Sequence, residues 1–322
     1  MILGAIFDED FLPCSEGYRP KRRAKEAGRD RRDAWPCGRY GSGVEAAMQG
    51  CFDTIDHQWM LRMLEQRIDD KPCLRLIPKW LKAGMLEEDG KGRHPATGTP
   101  QGGDSSPLLA NVSVHYALDR WWERVGKKDR KGAVSLCRYA DDFVWLLQYK
   151  EDAERLYHVL PQRLGKCNLH RSTAKTRIIR FSRVQAGTSV DFRGCACRWE
   201  RSRKGKPVVK GRTARTKFHR ALVNCTQGCR AHRSMPLQGL LRVLNAQLRG
   251  YDNYDGIIGN SNSLKAFFSQ AMPSLWKWLN RRSQKRSYTW QRFEELLKRN
   301  RIERPRITDK PQTQPARSFA FR

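Results

Sequence analysis

Two apolar runs on either side of a short acidic turn constrain the fold of this chain most. Residues 134–137 (Val-Ser-Leu-Cys) and 143–147 (Phe-Val-Trp-Leu-Leu) flank residues 139–142, Tyr-Ala-Asp-Asp. Such runs around a tight turn predict a β-hairpin with Asp141 and Asp142 at its tip. Adjacent carboxylates repel each other, so either water screens them at an ordinary turn or a cation binds them. The hairpin alone leaves both interpretations open, because Asp is common at turns.

Further motifs surround this hairpin in a fixed order. They are residues 15–20 (Ser-Glu-Gly-Tyr-Arg-Pro), 50–57 (Gly-Cys-Phe-Asp-Thr-Ile-Asp-His), 99–103 (Thr-Pro-Gln-Gly-Gly), 106–111 (Ser-Pro-Leu-Leu-Ala-Asn), 175–181 and 191–194. Together with the hairpin, these blocks resemble the successive motifs of reverse transcriptases. The family they resemble most is that of the group II intron-encoded reverse transcriptases/maturases of bacteria and organelles.

The resemblance implies an α+β fold, in which a right-hand polymerase palm with an antiparallel sheet and helices precedes an α-helical thumb. We therefore expect partial fingers and palm over residues 1–200, a basic hairpin or linker over 201–220, and a helical thumb or maturase domain X over 221–300. Residues 301–322 contain Pro, Thr and Gln without periodicity, which predicts a disordered tail. The chain also starts inside the family's fingers, and no His-Asn-His nuclease segment follows domain X, so a shortened form is expected.

The family's catalytic site holds two Mg²⁺ ions that act on the primer hydroxyl and the nucleotide triphosphate. Asp141 and Asp142 match two of its carboxylate ligands, but Ala47 stands where the family has the third. Loss of one such group should cost about 3 kcal/mol or more of transition-state stabilisation, so we expect polymerase activity to be weak or absent. Glu45 lies two residues away, on the same face of a strand, and is one possible substitute. Asp53 is another, although its position predicts a helix N-cap.

The resemblance also implies contacts with the nucleotide and the template. Phe52 matches the aromatic residue beneath the incoming sugar, and Tyr139 belongs to the same nucleotide-binding set. Gln101 and Gly102 are expected against the template and nucleotide, and Lys175 is expected near the triphosphate as part of the catalytic set. The expected substrates are a DNA target or primer and deoxynucleotides.

The charge of the chain predicts a polyanionic partner. Among 322 residues there are 63 Lys and Arg against 33 Asp and Glu, which gives a net charge of +30; nucleic acid is the usual partner of such a protein. Given the resemblance, we expect group II intron RNA to be the partner. No apolar run approaches the ~18 residues of a membrane span, and we expect no membrane association and a bacterial cytoplasmic location next to nucleic acid. The candidate RNA-binding residues are Arg201, Arg203, Lys204, Lys206, Lys210, Arg212, Arg215, Lys217, Arg242, Arg249, Arg281 and Arg282.

Three further features bear on function. Tyr288, Trp290 and Phe293 are candidates for stacking on unpaired bases. Pro161 is expected to stop one helix and Pro273 to break or kink another. Polar residues such as Asp104, Asp252 and Asp255 interrupt positions where the family pattern is apolar or aromatic.

Three hypotheses remain open from the sequence. The chain is an RNA-directed DNA polymerase that assists splicing and mobility, an RNA-binding splicing cofactor with a structural palm, or a degenerate remnant of such a protein. Ala47 favours the second hypothesis over the first. The polar interruptions and Pro273 favour the third.

Overall fold

A computed structural model describes most of the chain. The described residues are 2–20, 22, 35, 40–82, 85–86, 92–93, 97–99, 103, 105–126, 128–181, 188–202, 204–284 and 287–309. They divide into two compact units, with the division between Val190 and Asp191.

The first unit is built on a four-stranded antiparallel sheet in the order β4-β5-β1-β6. Its strands are β1 (Ser42–Ala47), β4 (Val134–Tyr139), β5 (Asp142–Leu147) and β6 (Arg177–Arg180), and β2 (Met85–Leu86) pairs separately with β3 (Gly92–Arg93). Its helices are α1 (Ile2–Asp8), α2 (His57–Leu64), α3 (Lys71–Lys82), α4 (Ser106–Val114) and α5 (Lys150–Gly165). Two π-helical segments, His115–Asp119 and Trp122–Gly126, follow α4.

In the described part of this unit, the core combines the sheet with the five helices α1 to α5. Val44 of β1 and Phe143 of β5 belong to the same buried cluster as Phe7 of α1, Leu109 of α4 and Leu160 of α5. Five of the six residues in each of β4 and β5 are buried. This burial explains why the two strands are nearly continuous apolar runs in the sequence.

The second unit contains a three-stranded sheet and four helices. Its strands β7 (Ser189–Phe192), β8 (Cys195–Arg201) and β9 (Pro207–Thr213) follow the order β7-β8-β9, and the unit boundary falls within β7. The helices are α6 (Arg215–Ala231), α7 (Leu237–Asp255), α8 (Ser261–Leu279) and α9 (Trp290–Arg299). They share a second apolar core, which includes Leu244, Phe267, Leu275 and Phe293.

The unit boundary differs from the one expected from the sequence, because β8 pairs along its whole length with β9 and so belongs to the second unit. The predicted basic hairpin or linker, residues 201–220, forms the end of β8, a turn, β9 and the first turns of α6. The assignment of these units to fingers, palm and thumb remains a prediction.

The prediction of a disordered tail is wrong for residues 301–309; residues 310–322 lie outside the described part. The backbone N–H of Arg306 donates to Asp252 Oδ2 at 3.2 Å, and the Thr308 hydroxyl donates to the Asp252 carbonyl at 2.7 Å. Asp309 is buried and accepts a hydrogen bond from the N–H of Ile258. Asp252 thus anchors this segment to α7, a role that a search for apolar periodicity could not detect.

Two prolines lie inside helices that they were expected to stop or break. Pro161 lies within α5, which continues to Gly165, and Pro273 lies within α8, which continues to Leu279. A proline in a helix interior costs about 3 kcal/mol. Packing offsets this cost in α8, because Met272 and Leu275 on either side of Pro273 are buried in the core.

No helix in the described part of the chain is long and apolar enough to cross a membrane.

Candidate active site and nucleic-acid interface

The acidic hairpin turn consists of two residues between paired strand ends. Tyr139 pairs with Asp142, so Ala140 and Asp141 form the loop. Ala140 has φ +56°, whereas Asp141 does not adopt a positive φ. Positive φ at only the first central residue is the type II′ pattern, in which glycine is usual. A non-glycine residue there costs on the order of 1–3 kcal/mol, so the surrounding structure must hold this turn in place.

Gly17 forms part of that support. A Cβ on Gly17 would lie 2.5 Å from the backbone nitrogen of Ala140 and 3.1 Å from the carbonyl carbon of Tyr139. Its carbonyl accepts a hydrogen bond of 2.7 Å from the side-chain amide of Asn111. The motif that contains Gly17 therefore packs against the back of the acidic turn, and only a residue without a side chain fits.

A fully buried arginine, Arg138, provides the rest of the support for the acidic turn. The Arg138 side chain donates to the Ala140 carbonyl at 3.0 Å, to Asn111 Oδ1 at 3.0 Å and to Ser15 Oγ at 2.6 Å. It also forms an ion pair of 2.7 Å with Asp119, and both side chains are 0% exposed. The arginine thus links the turn to residues from three other segments.

The ion pair determines the charge state of Asp119. Burial by itself would raise the pKa of the Asp119 carboxyl, but the Arg138 guanidinium outweighs burial and holds that pKa below its ordinary value. Both groups are therefore charged at neutral pH. Sequence reasoning did not identify either residue, although an arginine inside the apolar run Val-Ser-Leu-Cys-Arg-Tyr was a usable signal.

Ala47 lies directly opposite Asp142, since the two residues are partners in the β1–β5 register. Ala47 is 2% exposed, so its methyl group fills the position next to the acidic turn. Glu45 and Asp53 are the candidate substitutes for a carboxylate at position 47. Glu45 is buried, and Arg177 of β6 donates to its carboxylate at 2.6 Å. The carboxylate is therefore held by a cation on the neighbouring strand.

The prediction that Asp53 is the N-cap of α2 is wrong. The N-cap is Asp56, which accepts hydrogen bonds from the backbone N–H groups of Gln58 and Trp59 at 2.8 and 2.9 Å. Asp53 lies in the exposed turn before the helix. The helix begins at His57, three residues later than a cap at Asp53 would require, so Asp56 is the residue in the N-cap position.

The acidic turn affects the pKa of a neighbouring thiol. Burial, reinforced by the negative charge of Asp141, raises the pKa of Cys51 to about 12. Among the described residues, however, no group of three His, Cys, Asp or Glu side chains is arranged to hold a metal ion. The roles of Asp141 and Asp142 as metal ligands, and of position 47 as the site of a third ligand, remain predictions.

The predicted nucleotide-binding residues are only partly described. Phe52 is half-buried, and its ring meets the exposed ring of Tyr18 edge to face at 6.3 Å. The Phe52 carbonyl accepts a hydrogen bond of 2.7 Å from the N–H of Thr99, so residues 97–99 are attached to the segment that contains Phe52. Gln101 and Gly102 lie outside the described residues.

The other two residues of this set lie at the end of one strand and just before another strand of the same sheet. Tyr139 is half-buried at the end of β4, and Lys175 is exposed in the turn before β6. The next residue, Thr176, is buried and donates its hydroxyl to the Ser172 carbonyl at 2.6 Å. This hydrogen bond fixes the turn that carries Lys175.

The candidate RNA-binding residues of the second unit fall into two groups. Four are next to acids: Lys210 and Arg212 pair with Glu200, Lys217 pairs with Asp255 at 2.8 Å, and Arg249 lies 3.7 Å from Glu303. Arg203 lies outside the described residues. The exposed remainder comprises Arg201, Lys204, Lys206, Arg215, Arg242, Arg281 and Arg282.

Of the three aromatic candidates for base stacking, Phe293 is excluded because it is 0% exposed in the helical core. Trp290 is 43% exposed, and Tyr288 is half-buried. Phe293 belongs to the buried helical core, whereas Trp290 is the first residue of α9.

Comparison with known proteins identifies the class. Residues 5–206 match the family described as reverse transcriptase (RNA-dependent DNA polymerase). This match covers more than half of the chain, which therefore belongs to the reverse transcriptase family. Within that family, the relatives that it resembles include proteins described as encoded by introns.

Three relatives show the extent of the similarity. The chain is 31% identical over 176 residues to the protein YkfC of Escherichia coli, covering 46% of each chain. It is 38% identical over 121 residues to the group II intron-encoded protein LtrA of Lactococcus lactis, covering 38% of this chain and 20% of LtrA. It is 34% identical over 134 residues to a putative COX1/OXI3 intron 1 protein of Saccharomyces cerevisiae, covering 42% of this chain and 16% of that protein. The matched region thus spans less than half the length of these relatives.

A solved structure supports the fold. Apo telomerase from Candida tropicalis superposes with a TM-score of 0.50 at 11% identity, covering 92% of this chain and 55% of telomerase. At this identity the likeness concerns the fold alone. The predicted α+β class, an antiparallel sheet with helices followed by a helical region, is confirmed.

Proposed function

We propose that this protein binds a group II intron RNA as a maturase, and that its polymerase site is impaired because Ala47 supplies no carboxylate. One observation carries the proposal: Ala47 is the register partner of Asp142, beside an acidic turn that the rest of the unit holds in place. The family's chemistry requires negative charge at fixed spacing, and a methyl group offers none.

The roles of the site residues follow from this proposal. Asp141 and Asp142 are the remaining metal ligands, Phe52 is the platform beneath the nucleotide sugar, and Lys175 acts on the triphosphate. Reverse transcriptases generally use Mg²⁺, and Mg²⁺ is the cofactor we assign to the site once a carboxylate is restored at position 47. Deoxynucleotides and a DNA primer or target are its substrates in that repaired form.

Binding of RNA rests on charge. The net charge of +30 exceeds what solubility requires, and exposed arginines and lysines of the second unit are available to phosphates. The location we assign is the bacterial cytoplasm, in association with nucleic acid.

The remnant hypothesis has less support from the described residues than from the sequence. Asp252 anchors residues 306–308, and Asp255 accepts hydrogen bonds from Thr213 and Lys217. Pro273 lies within a helix that continues on both sides. Each residue that suggested decay therefore has a place in a packed structure, except Asp104, which lies outside the described residues.

The experiment is primer extension on an RNA template with Mg²⁺, comparing the unsubstituted chain with Ala47→Asp and Ala47→Asn. We expect extension only by Ala47→Asp, with a rate at least about 100-fold above the other two, because 3 kcal/mol corresponds to two orders of magnitude. Ala47→Asn is the matched control, since it adds similar volume without charge. RNA affinity, titrated in parallel, should agree within twofold among the three proteins.

Other outcomes have defined meanings. Extension by the unsubstituted chain would show that another carboxylate replaces the missing one and that the polymerase site is not impaired. Failure of all three to extend, with RNA binding retained, would leave the maturase proposal standing and would reject Ala47 as the sole defect. Loss of RNA binding in all three would reject the proposal.

A further inference from the structure

An open cleft of about 470 Å³ lies beside helix α9 in the second unit. Its lining consists of Leu237, Ser287, Tyr288, Arg292, Glu295, Leu296, Arg299 and Asn300. Arg292, Glu295, Leu296 and Arg299 of α9 follow the spacing i, i+3, i+4 and i+7, so they form one continuous face of that helix, and the C-cap residue Asn300 extends this face. This volume is within the usual range for small-molecule sites.

The cleft combines an apolar floor with two cationic sides. Leu237, Tyr288 and Leu296 belong to, or pack against, the helical core, so they form the fixed apolar part. Arg292 and Arg299 are exposed. Seven residues of helix separate them by about 10 Å along the axis, with Leu296 between them.

These two arginines differ from several other basic residues of the second unit in their ion pairing. Lys210, Arg212 and Lys217 form ion pairs with acids of the same unit. In contrast, neither Arg292 nor Arg299 pairs with a carboxylate in the part of the chain that the structure describes. Both guanidinium groups are thus available to an external anion, and guanidinium is well suited to phosphate.

Hydrogen bonds to its backbone hold Tyr288, the aromatic residue of the cleft, in position. The Tyr288 carbonyl accepts hydrogen bonds of 3.1 Å from the Trp276 indole and from the Asn280 amide, and the Tyr288 N–H donates to Asn280 at 2.8 Å. A tyrosine fixed in this way can receive the face of a base at little entropic cost.

We propose that this cleft binds one unpaired nucleotide of the RNA, and this inference rests on the proposed RNA-binding function. The base lies on the apolar floor beside Tyr288, and the phosphates on its two sides contact Arg292 and Arg299. Glu295 and Asn300 line the same cleft and meet the edge of the base. Because a carboxylate accepts hydrogen bonds from an exocyclic amino group, cytidine is preferred over uridine.

The experiment uses cytidine 3′,5′-bisphosphate as the probe and isothermal titration calorimetry with the full chain. We expect binding that Arg292→Gln and Arg299→Gln each weaken at least fivefold. Arg75→Gln is the matched control, since Arg75 is an exposed arginine of α3 in the first unit with no assigned part in RNA binding, and it should change affinity less than twofold. Uridine 3′,5′-bisphosphate should bind more weakly than the cytidine compound, and inorganic phosphate more weakly than either.

Two results would overturn the inference. One is equal affinity for inorganic phosphate and the bisphosphates, which would indicate a general electrostatic surface. The other is an equal effect of Arg75→Gln and the two cleft variants. If RNA binds but the bisphosphate does not, the cleft assignment fails and the proposed function stands. If the bisphosphate binds but RNA does not, the proposed function fails, and the cleft is a nucleotide site that does not serve RNA binding. Thermal unfolding of each variant should match that of the unsubstituted chain, because both arginines are exposed.

Discussion

At the scale of single residues, the ion pair of Arg138 with Asp119 is decisive for the acidic turn. Both groups are fully buried, and Arg138 also donates to the carbonyl of Ala140 within the turn. A buried ion pair contributes little net stability compared with apolar residues, but removal of one partner leaves an uncompensated charge in the interior. The pair matters here because it holds Arg138 in position, and Arg138 connects the turn to Asn111 and Ser15.

We predict that Arg138→Met lowers the free energy of unfolding by about 3–5 kcal/mol. The double variant Arg138→Met/Asp119→Leu should recover much of this loss, because it buries no unpaired charge. Urea unfolding of the two single variants and the double variant as a double-mutant cycle measures the effect. A loss below about 1 kcal/mol in Arg138→Met would show that the pair is not held as described.

The same pair predicts a pH dependence. The pKa of Asp119 is lowered on folding, so its contribution to stability is present above the unfolded value of about 4 and is lost as pH falls through the folded pKa. The unsubstituted chain should therefore lose stability in acid. The Asp119→Leu/Arg138→Met variant should show a smaller loss, measured by unfolding at successive pH values.

Gly17 allows a second test at this scale. We predict that Gly17→Ala destabilises the chain by about 1–3 kcal/mol, because a Cβ there would lie 2.5 Å from backbone atoms of the turn. Gly165→Ala is the matched control: Gly165 is the last residue of α5 and has no atom within 4 Å of an added Cβ. The control should be neutral or slightly stabilising. Equal effects of the two substitutions in urea unfolding would contradict the packing of Gly17 under the turn.

At the scale of elements, the start of α2 distinguishes two aspartates that the sequence presents as equivalent. Asp56 accepts two backbone hydrogen bonds of the first turn, and its second oxygen accepts from the Asn168 amide at 2.8 Å. The hydrogen bond from Trp59 is the main reason that the pKa of Asp56 is lowered. Asp53 has no part in this cap.

We therefore predict that Asp56→Ala destabilises the chain by about 0.5–2 kcal/mol, as expected for the loss of an N-cap. Asp53→Ala, three residues earlier, should change the free energy of unfolding by less than about 0.5 kcal/mol. The difference should shrink as the pH falls below about 4, because protonation of Asp56 removes the charged acceptor. Thermal unfolding at pH 7 and pH 3 compares the two variants, and a larger effect at Asp53 would restore the sequence-based assignment.

At the scale of the whole molecule, the excess of positive charge makes RNA affinity dependent on salt. For a single strand, the slope of log affinity against log salt is about −0.7 for each phosphate neutralised. The exposed residues Arg201, Lys204, Lys206 and Arg215 should each contribute one such contact, because they do not form the ion pairs that occupy Lys210 and Arg212.

We predict that alanine at any one of these four exposed positions reduces the magnitude of the slope by about 0.7. Lys210→Ala and Arg212→Ala serve as matched controls in the same hairpin, and they should leave the slope nearly unchanged. Fluorescence anisotropy of a labelled RNA between 50 and 200 mM salt gives the slopes. If the control substitutions reduce the slope as much as the others, their ion pairs open on binding and the division into two groups is wrong.

The sequence by itself determined the family, the order of the motifs and the acidic hairpin, and it is the basis of the proposal that position 47 lacks a carboxylate. These features depend on residue type and local spacing, and both can be read directly from a chain. The strand β1 (Ser-Gly-Val-Glu-Ala-Ala) illustrates the limit of prediction from local sequence, because its composition favours a strand only weakly. It forms because β5 and β6 pair with it on both sides.

Only the tertiary structure decided which groups meet. It places Ala47 opposite Asp142, binds Glu45 to Arg177, and brings Arg138, Asp119, Asn111 and Ser15 together beneath the turn. It also continues two helices through prolines and gives Asp252 a partner more than fifty residues away. The physical reason is the same in each case: hydrogen bonds, ion pairs and burial depend on distances between remote segments, and local sequence patterns do not contain those distances.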